Sequence, residues 1–287
     1  MLGENIYMNN SRNISSHDDW RLIIDHGDND GVYNMSADEA ILYSVEDGLS
    51  SPTLRLYGWG RPAMTVGYAQ DIERTVNIDY CLKNGIDIVR RITGGRGILH
   101  RGELTYSIAA PKNALADGSI SGIYNIIKKT IREAFSSLGI PVDISAARKR
   151  GIGGGACFGA AYRHEITVGG KKIMGGALRR LRHSFLYHGS ILLESDSRQL
   201  AEVLRFDSKA EEEKYIGALD QGVVGINDIL DRPLNRPVIE ASIIEAFSAT
   251  LGIGFYRGRR TDFEEDLILR LVSEKRGCAS NMVTGKR

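Results

Sequence analysis

The spacing of hydrophobic residues along the chain predicts a mixture of helices and strands. The clearest helix covers residues 121–138, where apolar side chains recur every three or four positions until Gly139 ends the pattern. Ser36 followed by Glu39 matches a capping box, which predicts a helix that starts there and runs through about Val45. Shorter helical patterns occupy residues 77–84, 197–204, 238–251 and 262–274.

Strands are predicted where β-branched and aromatic residues cluster between turn residues. Residues 53–59 and 63–68 read as a strand pair separated by a Gly-Arg-Pro turn. The Gly-Gly pair at residues 169–170 suits a two-residue turn and predicts a hairpin between residues 164–168 and 171–177. The remaining strands are predicted at residues 20–24, 86–89, 104–109, 141–144 and 185–194.

The order of these elements indicates an α+β fold with a mixed or antiparallel sheet. Strands dominate the first two thirds of the chain and helices the last third, and no regular βαβ alternation is visible. A polar stretch at residues 207–214 is predicted to be a solvated loop or helix face. Residues 1–19 carry few apolar anchors and are predicted to be a disordered tail.

Composition limits the possible functions. The chain has 287 residues and a formal net charge of +1, so bulk charge gives no support to nucleic-acid binding. No apolar run is long enough to span a membrane. Cys81, Cys157 and Cys278 are odd in number and widely spaced, which favours a reducing, cytoplasmic location over a disulfide framework.

The most distinctive stretch is residues 90–107, in which two arginines lead into a loop with several glycines. Glycines allow close backbone approach and leave amide N–H groups free to face a ligand, while arginine side chains bind carboxylate, phosphate or carbonyl groups. A glycine-rich hairpin with solvated arginines explains the same composition equally well. On composition alone, both interpretations stay open.

Other potential motifs do not fit their structural context. Residues 151–156 match G-x-G-x-x-A, but strand-like residues follow where a dinucleotide site needs a helix. No Walker A loop is present. His183 and His188 are five positions apart in a predicted strand, so they face opposite sides and make a poor metal pair.

Cys157 is the candidate reactive thiol. It lies near Arg163 and residues 148–150, and a positive neighbourhood favours the thiolate. Filling a gap in the core is the alternative role. Lys172, in the predicted hairpin, faces either solvent or a pocket. A core role is predicted for Cys81.

Several segments of the chain match one family pattern. The central segments are Arg90-Arg91-x-Thr93-Gly94-Gly95, His100, Glu103-Leu-Thr-Tyr-Ser107, Lys172-Ile-x-Gly175 and His188-Gly-Ser190. Amino-terminal segments also match, among them Asn34-Met-x-x-Asp38-Glu-Ala and Leu54-Arg-x-Tyr-x-Trp59. With these segments the chain resembles the superfamily of lipoate–protein ligases, octanoyltransferases and biotin ligases, and the likeness extends from Trp20 to the final helix in family order.

The resemblance implies a biotin/lipoate ligase-like mixed β-sheet flanked by helices, with a catalytic domain at residues 20–255 and a helical extension at residues 256–287. The Ala156-Cys157-Phe158 segment is similar to the cysteine-dependent octanoyltransferases, which implies Cys157 as nucleophile and Lys172 as its catalytic partner. The implied substrate-binding residues are Arg90, Arg91, Thr93, Gly94, Gly95, Arg96, His100, Gly175 and His188.

The implied reaction moves an octanoyl group from acyl carrier protein, through a cysteine thioester, to a lipoyl-domain lysine of a carrier such as glycine cleavage H protein. It implies no cofactor and no metal. Departures from the family pattern at Arg101, Tyr162, Gly176 and Leu178 leave the acyl substrate open. The alternatives are an ATP-dependent lipoate–protein ligase and a non-catalytic acyl-binding subunit.

Overall fold

The protein is described by a computed structural model, which covers residues 19–25, 29–115, 117–145 and 165–284. Its strands, numbered along the chain, are β1 (Trp20–Asp25), β2 (Thr53–Tyr57), β3 (Ala63–Val66), β4 (Asp87–Arg90), β5 (Ile98–His100), β6 (Leu104–Pro111), β7 (Asp143–Ser145), β8 (Glu165–Val168), β9 (Lys171–Lys172), β10 (Met174–Arg180), β11 (Ser184–Ile191) and β12 (Phe255–Arg257). Its α-helices are α1 (Gly31–Glu46), α2 (Ile72–Thr75), α3 (Ile78–Lys83), α4 (Ile120–Ser137), α5 (Ser197–Glu202), α6 (Lys209–Gly222), α7 (Arg236–Leu251) and α8 (Asp262–Thr284).

The main sheet has six strands in the order β10-β11-β6-β2-β1-β12. β1 pairs in parallel with β2 and β12, whereas the other neighbours are antiparallel, so the sheet is mixed. Two three-stranded sheets, β4-β3-β5 and β7-β8-β9, complete the architecture. With helices on both sides, this arrangement confirms the predicted α+β class.

One face of the main sheet is apolar. Because side chains alternate across a strand, every second residue of β1, β2, β6 and β11 points to this face. These residues form the largest hydrophobic cluster together with the inner sides of α4 and α7. Its members include Leu22, Leu54, Leu56, Tyr106, Ile108, Phe185 and Tyr187 from the strands and Ile127, Ile131, Ile243 and Phe247 from the helices.

The opposite face of the same strands is buried yet polar. It carries Arg55 from β2, Thr105 and Ser107 from β6, and His188 and Ser190 from β11, each at most 8% exposed. α1 lies across this face and is itself buried along most of its length. Buried polar groups need hydrogen-bond partners, so this face is where a specific polar arrangement must form.

Several local predictions are confirmed. Gly169 and Gly170 both have positive φ, 56° and 77°, and join β8 to β9 with Thr167 opposite Lys172. Gly139, with φ 74°, follows α4. Cys81 is fully buried in α3, in the core role predicted for it.

The start of α1 corrects the sequence prediction. The helix begins at Gly31, and the carboxylate of Asp30 caps it by accepting from the N–H of Tyr33 at 2.8 Å. Ser36 and Glu39 are therefore interior helical residues rather than a capping box. The true cap precedes the predicted one by more than a turn, and Val32, Asn34 and Met35 in the added turn are buried.

The strands predicted at residues 53–59 and 63–68 are present as β2 and β3, but the predicted pairing between them is wrong. β2 lies in the main sheet between β1 and β6, whereas β3 pairs with β4 and β5 in a separate sheet. The Gly-Arg-Pro segment therefore carries the chain from one sheet to the next instead of closing a hairpin.

Other boundaries shift by small amounts. The strand predicted at residues 86–89 is β4, of which only Val89 is buried, and the one at 141–144 is β7. The polar stretch at residues 207–214 belongs mostly to α6, one of whose faces packs Tyr215 and Leu219 into a second core cluster. The predicted tail lies outside the described residues, apart from Asp19.

The carboxyl-terminal segment contributes to the main sheet. β12 pairs with β1, and α8 packs along α1. The domain boundary proposed at residue 255 falls on this strand. None of the helices in the described residues has the length and apolar character that crossing a bilayer requires.

Candidate functional site

The central loop joins β4 to β5 and continues to β6. Arg90, at the end of β4, hydrogen-bonds to a neighbouring backbone segment at residues 67–70. The Nη1 atom of Arg90 donates to the carbonyls of Gly67, Tyr68 and Gln70 at 3.1, 2.9 and 2.6 Å. The segment of residues 67–70 packs closely against the central loop, since a Cβ on Gly67 would collide with the carbonyl of Gly95. The described contacts of Arg90 are therefore with backbone, and its predicted role in substrate binding stays a prediction.

Arg91 organises the loop from inside. It is 4% exposed, and its guanidinium donates to the hydroxyls of Thr93 (3.1 Å) and Thr65 (3.2 Å) and to the carbonyl of Thr65 (3.2 Å). The Nη2 atom donates to the carbonyls of Gly94 and Arg96, both at 2.8 Å. A single buried side chain thus fixes both sides of the glycine turn.

His188 connects the loop to the main sheet. Its Nε2 lies 2.7 Å from the Oγ1 of Thr93, and its Nδ1 lies 3.2 Å from the Oδ2 of Asp38 on α1. A carboxylate only accepts hydrogen bonds, so the ring proton belongs on Nδ1, and Nε2 accepts from the hydroxyl of Thr93. Burial lowers the pKa of His188, partly opposed by Asp38, which favours this neutral ring.

Asp38 is the centre of the buried polar face. Its carboxylate accepts from Arg55, Ser107 and Tyr57, each at 2.8 Å, as well as from His188. Burial alone would raise the pKa of Asp38, but the hydrogen bond from His188 and the charge of Arg55, with further hydrogen bonding, lower it to about 2. The carboxylate is thus ionised at neutral pH.

A second histidine forms a similar arrangement on β5. The Nδ1 of His100 lies 2.6 Å from the Oε1 of Glu103, and its Nε2 lies 2.8 Å from the Oγ1 of Thr65. Thr105 also donates to the Oε1 of Glu103, at 2.8 Å. The ring of Trp59 stacks on His100 with centroids 3.8 Å apart, and its Nε1 donates to Thr105 at 2.9 Å.

A pocket opens between the loop, β10, β11 and α1. Its apolar walls come from Met35, Tyr57, Ile98 and Ala177. The structure brings several of the predicted substrate-binding residues together around it, namely Arg91, Arg96, His100, Gly175 and His188. Thr93 is hydrogen-bonded to His188 but does not itself line the pocket, and neither does Arg90.

Gly94 and Gly95 differ in what they require. Both are exposed, and no described hydrogen bond uses their amide N–H groups. Gly95 has φ 93°, which side chains rarely adopt, whereas no described atom lies within 4 Å of a Cβ built on Gly94. The two amides are available to a ligand at the loop.

The two predicted catalytic residues have different outcomes. Lys172 is 5% exposed, so it belongs to the interior rather than to the solvent face that was the alternative. It stands opposite Thr167, and its carbonyl accepts from Val224 at 3.0 Å. It is also only three positions from Gly175 at the pocket. Cys157 lies outside the described residues.

Sequence reasoning gave no role to Asp38, Arg55 or Glu103. All three are buried ionisable residues, and Arg55 has no exposed surface. For Arg55 the available signal was a charged residue between two leucines in a predicted strand, whereas Asp38 lies in α1 and Glu103 precedes β6, so strand alternation does not mark them. Within the described chain, no three His, Cys, Asp or Glu side chains are grouped as metal ligands.

Comparison with known proteins agrees with this architecture. The model for the lipoyl protein ligase A/B catalytic domain matches residues 30–248. An octanoyltransferase LipM from Moorella thermoacetica is 35% identical over 256 residues, which cover 88% of this chain and 93% of that protein. A second octanoyltransferase LipM, from Halalkalibacterium halodurans, is 33% identical over 264 residues, covering 89% and 95% of the two chains.

Solved structures share the fold. A bi-partite lipoate protein ligase from Thermoplasma acidophilum, described with its E2 lipoyl domain, superposes with a TM-score of 0.74 at 25% identity. It covers 90% of this chain and 93% of its own. A lipoate-protein ligase A bound with ATP has a TM-score of 0.73 at 26% identity, covering 89% and 95% of the two chains.

Proposed function

The chain belongs to the family of the lipoyl protein ligase A/B catalytic domain, and we propose on that premise that it is an octanoyltransferase acting in protein lipoylation. It takes an octanoyl group from acyl carrier protein and forms a thioester on Cys157. It then delivers the group to a lipoyl-domain lysine in a protein such as glycine cleavage H protein. The cytoplasmic location favoured by the cysteine count fits these partners.

The observation that carries this proposal is the similarity to octanoyltransferases over nearly the whole chain. The octanoyltransferase LipM from Moorella thermoacetica is 35% identical to this chain over 88% of its length. The two lipoate–protein ligases among the solved structures are less similar, at 25% and 26% identity. Sequence similarity therefore favours octanoyl transfer over ATP-dependent ligation.

The first half-reaction exchanges one thioester for another. The thiolate of Cys157 attacks the octanoyl carbonyl, the new carbon–sulfur bond forms, and the carrier's thiolate leaves and takes up a proton. Because a thioester is made as one is broken, no ATP is needed. The free amides of Gly94 and Gly95 are suited to stabilise the tetrahedral oxyanion.

The second half-reaction forms an amide. The acceptor lysine amine attacks the Cys157 thioester, the carbon–sulfur bond breaks, and the thiolate is regenerated as the amine loses a proton. Lys172 would take up the proton that the acceptor amine loses and, as the resulting ammonium, stabilise the regenerated thiolate. The residue is almost fully buried, and charges interact more strongly in such surroundings than in bulk water.

The apolar walls of the pocket suit the hydrocarbon tail. Met35, Ile98 and Ala177 offer methyl and methylene surface beside the loop. At about 0.8 kcal/mol for each buried methylene, roughly six methylenes supply about 5 kcal/mol, which is enough to select for chain length. His100 and His188 line the same pocket.

Intact mass spectrometry tests the proposal. Wild-type protein mixed with octanoyl-acyl carrier protein, without ATP, is expected to gain one octanoyl mass that hydroxylamine removes. Cys157→Ala should gain none. Cys81→Ala is the matched control, because Cys81 is fully buried and burial raises the pKa of its thiol to about 11. That variant should acylate like wild type.

Two outcomes would assign a different function. Acceptor modification that needs free lipoate and ATP, and persists in Cys157→Ala, identifies a lipoate ligase. Tight binding of the octanoyl donor with no adduct and no transfer identifies a non-catalytic acyl-binding subunit.

A further inference from the structure

Two chains of hydrogen bonds with the same chemical order converge on the central loop. In one, the carboxylate of Asp38, the ring of His188 and the hydroxyl of Thr93 are joined at 3.2 and 2.7 Å. In both chains the carboxylate is hydrogen-bonded to Nδ1 of the imidazole ring, and the threonine hydroxyl is hydrogen-bonded to Nε2.

The second chain starts from a different element. It joins the carboxylate of Glu103, the ring of His100 and the hydroxyl of Thr65 at 2.6 and 2.8 Å. Asp38 belongs to α1, whereas Glu103 directly precedes β6, so the two chains approach the loop from separate parts of the fold.

Arg91 is where the chains meet. Its Nε donates to the hydroxyl of Thr93 at 3.1 Å, and its Nη1 donates to the hydroxyl of Thr65 at 3.2 Å. Each threonine hydroxyl gives its single proton to a histidine, which leaves its lone pairs to accept from Arg91. The remaining guanidinium hydrogens go to backbone carbonyls, including those of Gly94 and Arg96.

We propose that these two relays, Asp38–His188–Thr93 and Glu103–His100–Thr65, are positioning devices that hold Arg91, and through it the glycine turn, in the geometry that acyl transfer requires. The inference rests on the proposed function for its activity readout. It assigns Asp38, Glu103 and both threonines to positioning, since each acts through another residue.

The order carboxylate, histidine, hydroxyl also occurs in nucleophilic triads, but burial argues against that role here. Thr93 and Thr65 have no exposed surface, and each hydroxyl already accepts from Arg91. A nucleophile must reach the substrate carbonyl. The exposed groups at this place are the Gly94 and Gly95 amides. The Gly95 N–H shares its peptide plane with the Gly94 carbonyl, which Arg91 holds, and the Gly94 N–H shares its plane with the Thr93 carbonyl, which accepts from Tyr68 N–H at 2.9 Å.

Isosteric substitutions test the relays. Thr93→Val and Thr65→Val keep the side-chain shape and remove only the hydroxyl, so each should slow the acylation of Cys157 by about tenfold or more through misplacement of the loop. Most of the loss should fall on kcat rather than on KM. Thr93→Ser and Thr65→Ser restore a hydroxyl and should recover the rate.

Thr130→Val is the matched control. Thr130 is equally buried, and its hydroxyl donates to the carbonyl of Ile126 at 3.0 Å within α4, away from the loop. It should acylate at a rate close to that of wild type. If Thr93→Val and Thr65→Val lose no more activity than Thr130→Val at equal thermal stability, the relays do not position the loop.

A second readout does not depend on acyl transfer. Long-range proton–nitrogen spectra of the imidazoles should show a proton on Nδ1 of both His188 and His100, with His188→Gln and His100→Gln assigning the signals. The N–H of Tyr68 donates to the carbonyl of Thr93 at 2.9 Å, so amide hydrogen exchange at Tyr68 should speed up in the two valine variants. Rings protonated on Nε2, or unchanged exchange, would overturn the relay. Absence of octanoylation in wild type with these signatures present would reject the proposed function alone.

Discussion

At the scale of single residues, the central loop separates two glycines that look equivalent in the sequence. Gly95 needs its positive φ and approaches Arg91, because a Cβ there would lie 3.0 Å from Nη2. Gly94 has ordinary backbone geometry and open space among the described residues. The backbone therefore requires glycine at position 95, whereas a requirement for glycine at position 94 would come from the substrate.

Alanine at each position distinguishes these roles. Gly94→Ala should unfold at about the wild-type temperature yet transfer octanoyl more slowly, since its Cβ would occupy space at the acyl carbonyl. Gly95→Ala should lose about 1–2 kcal/mol of stability through backbone strain as well as activity. Thermal unfolding and the single-turnover acylation rate measure the two effects.

Gly139→Ala is the control for backbone strain away from the loop. Gly139 has φ 74° and open space around it, so its replacement should lower stability and leave acylation unchanged. Full acylation by Gly94→Ala would contradict a close approach of substrate to this part of the loop.

At the scale of elements, the same capping-box spacing marks a helix start in one segment and lies inside a helix in another. Thr261 and Glu264 at the start of α8 bond reciprocally: Thr261 N–H donates to the Glu264 carboxylate at 2.9 Å, and Glu264 N–H donates to the Thr261 hydroxyl at 3.2 Å. The same spacing at Ser36 and Glu39 lies inside α1. Local pattern alone does not distinguish a cap from a helix interior, because helix α1 continues upstream to Asp30.

What could be predicted followed from local chemistry. The Gly169–Gly170 turn, the end of α4 and the α+β class depend on backbone preferences and on hydrophobic period, and these were predicted correctly. The partners of β2 and β3 depend on which sheet each strand joins, which no local pattern records. The site was predicted in part: His100 and His188 came from a family resemblance, whereas Asp38 acquires its role from α1 crossing the sheet.

Glu264 also provides an element-scale prediction, since it joins α8 to β1. Its carboxylate accepts from both Nη atoms of Arg21, at 2.8 and 2.5 Å, and both side chains are almost fully buried. Glu264→Gln keeps a capping group but leaves the Arg21 charge uncompensated, so it should cost about 3–5 kcal/mol of unfolding free energy in urea titration.

Glu265→Gln is the neighbouring control. Glu265 pairs with Arg260, but its side chain is 48% exposed, so its loss should cost less than about 1 kcal/mol. Equal effects of the two substitutions would show that α8 is held by surface charge rather than by the buried pair.

At the scale of the whole molecule, the buried polar face joins separate parts of the chain into one network. Arg260, which precedes α8, contacts Asp25 of β1 at 2.9 Å, and Asp25 accepts from Arg55 at 2.8 Å. Arg55 in turn binds Asp38. Charged side chains from both ends of the described chain are thus joined in one network. The ionisation of this network should therefore affect the free energy of unfolding of the whole protein.

Acid should therefore destabilise the protein in two steps. The pKa of His188 is lowered from about 6.5 by burial, so below about pH 6.5 the unfolded chain binds a proton that the folded one resists, and stability falls as pH falls. The pKa of Asp38 is lowered to about 2, so a further loss of about 2 kcal/mol follows between about pH 4 and pH 2. Both contributions are fully present at neutral pH, because both folded pKa values lie below the unfolded ones.

Urea titrations at pH 7, 5.5 and 4 measure the first step, and His188→Gln isolates it. The variant lacks the titrating ring, so its free energy of unfolding should fall less between pH 7 and pH 5.5 than that of wild type. His183→Gln serves as the comparison, because His183 is an exposed residue outside the network and its replacement should leave the pH dependence unchanged. If His188→Gln and wild type show the same slope over this interval, His188 does not carry the acid sensitivity, and the neutral ring inferred beneath the loop is wrong.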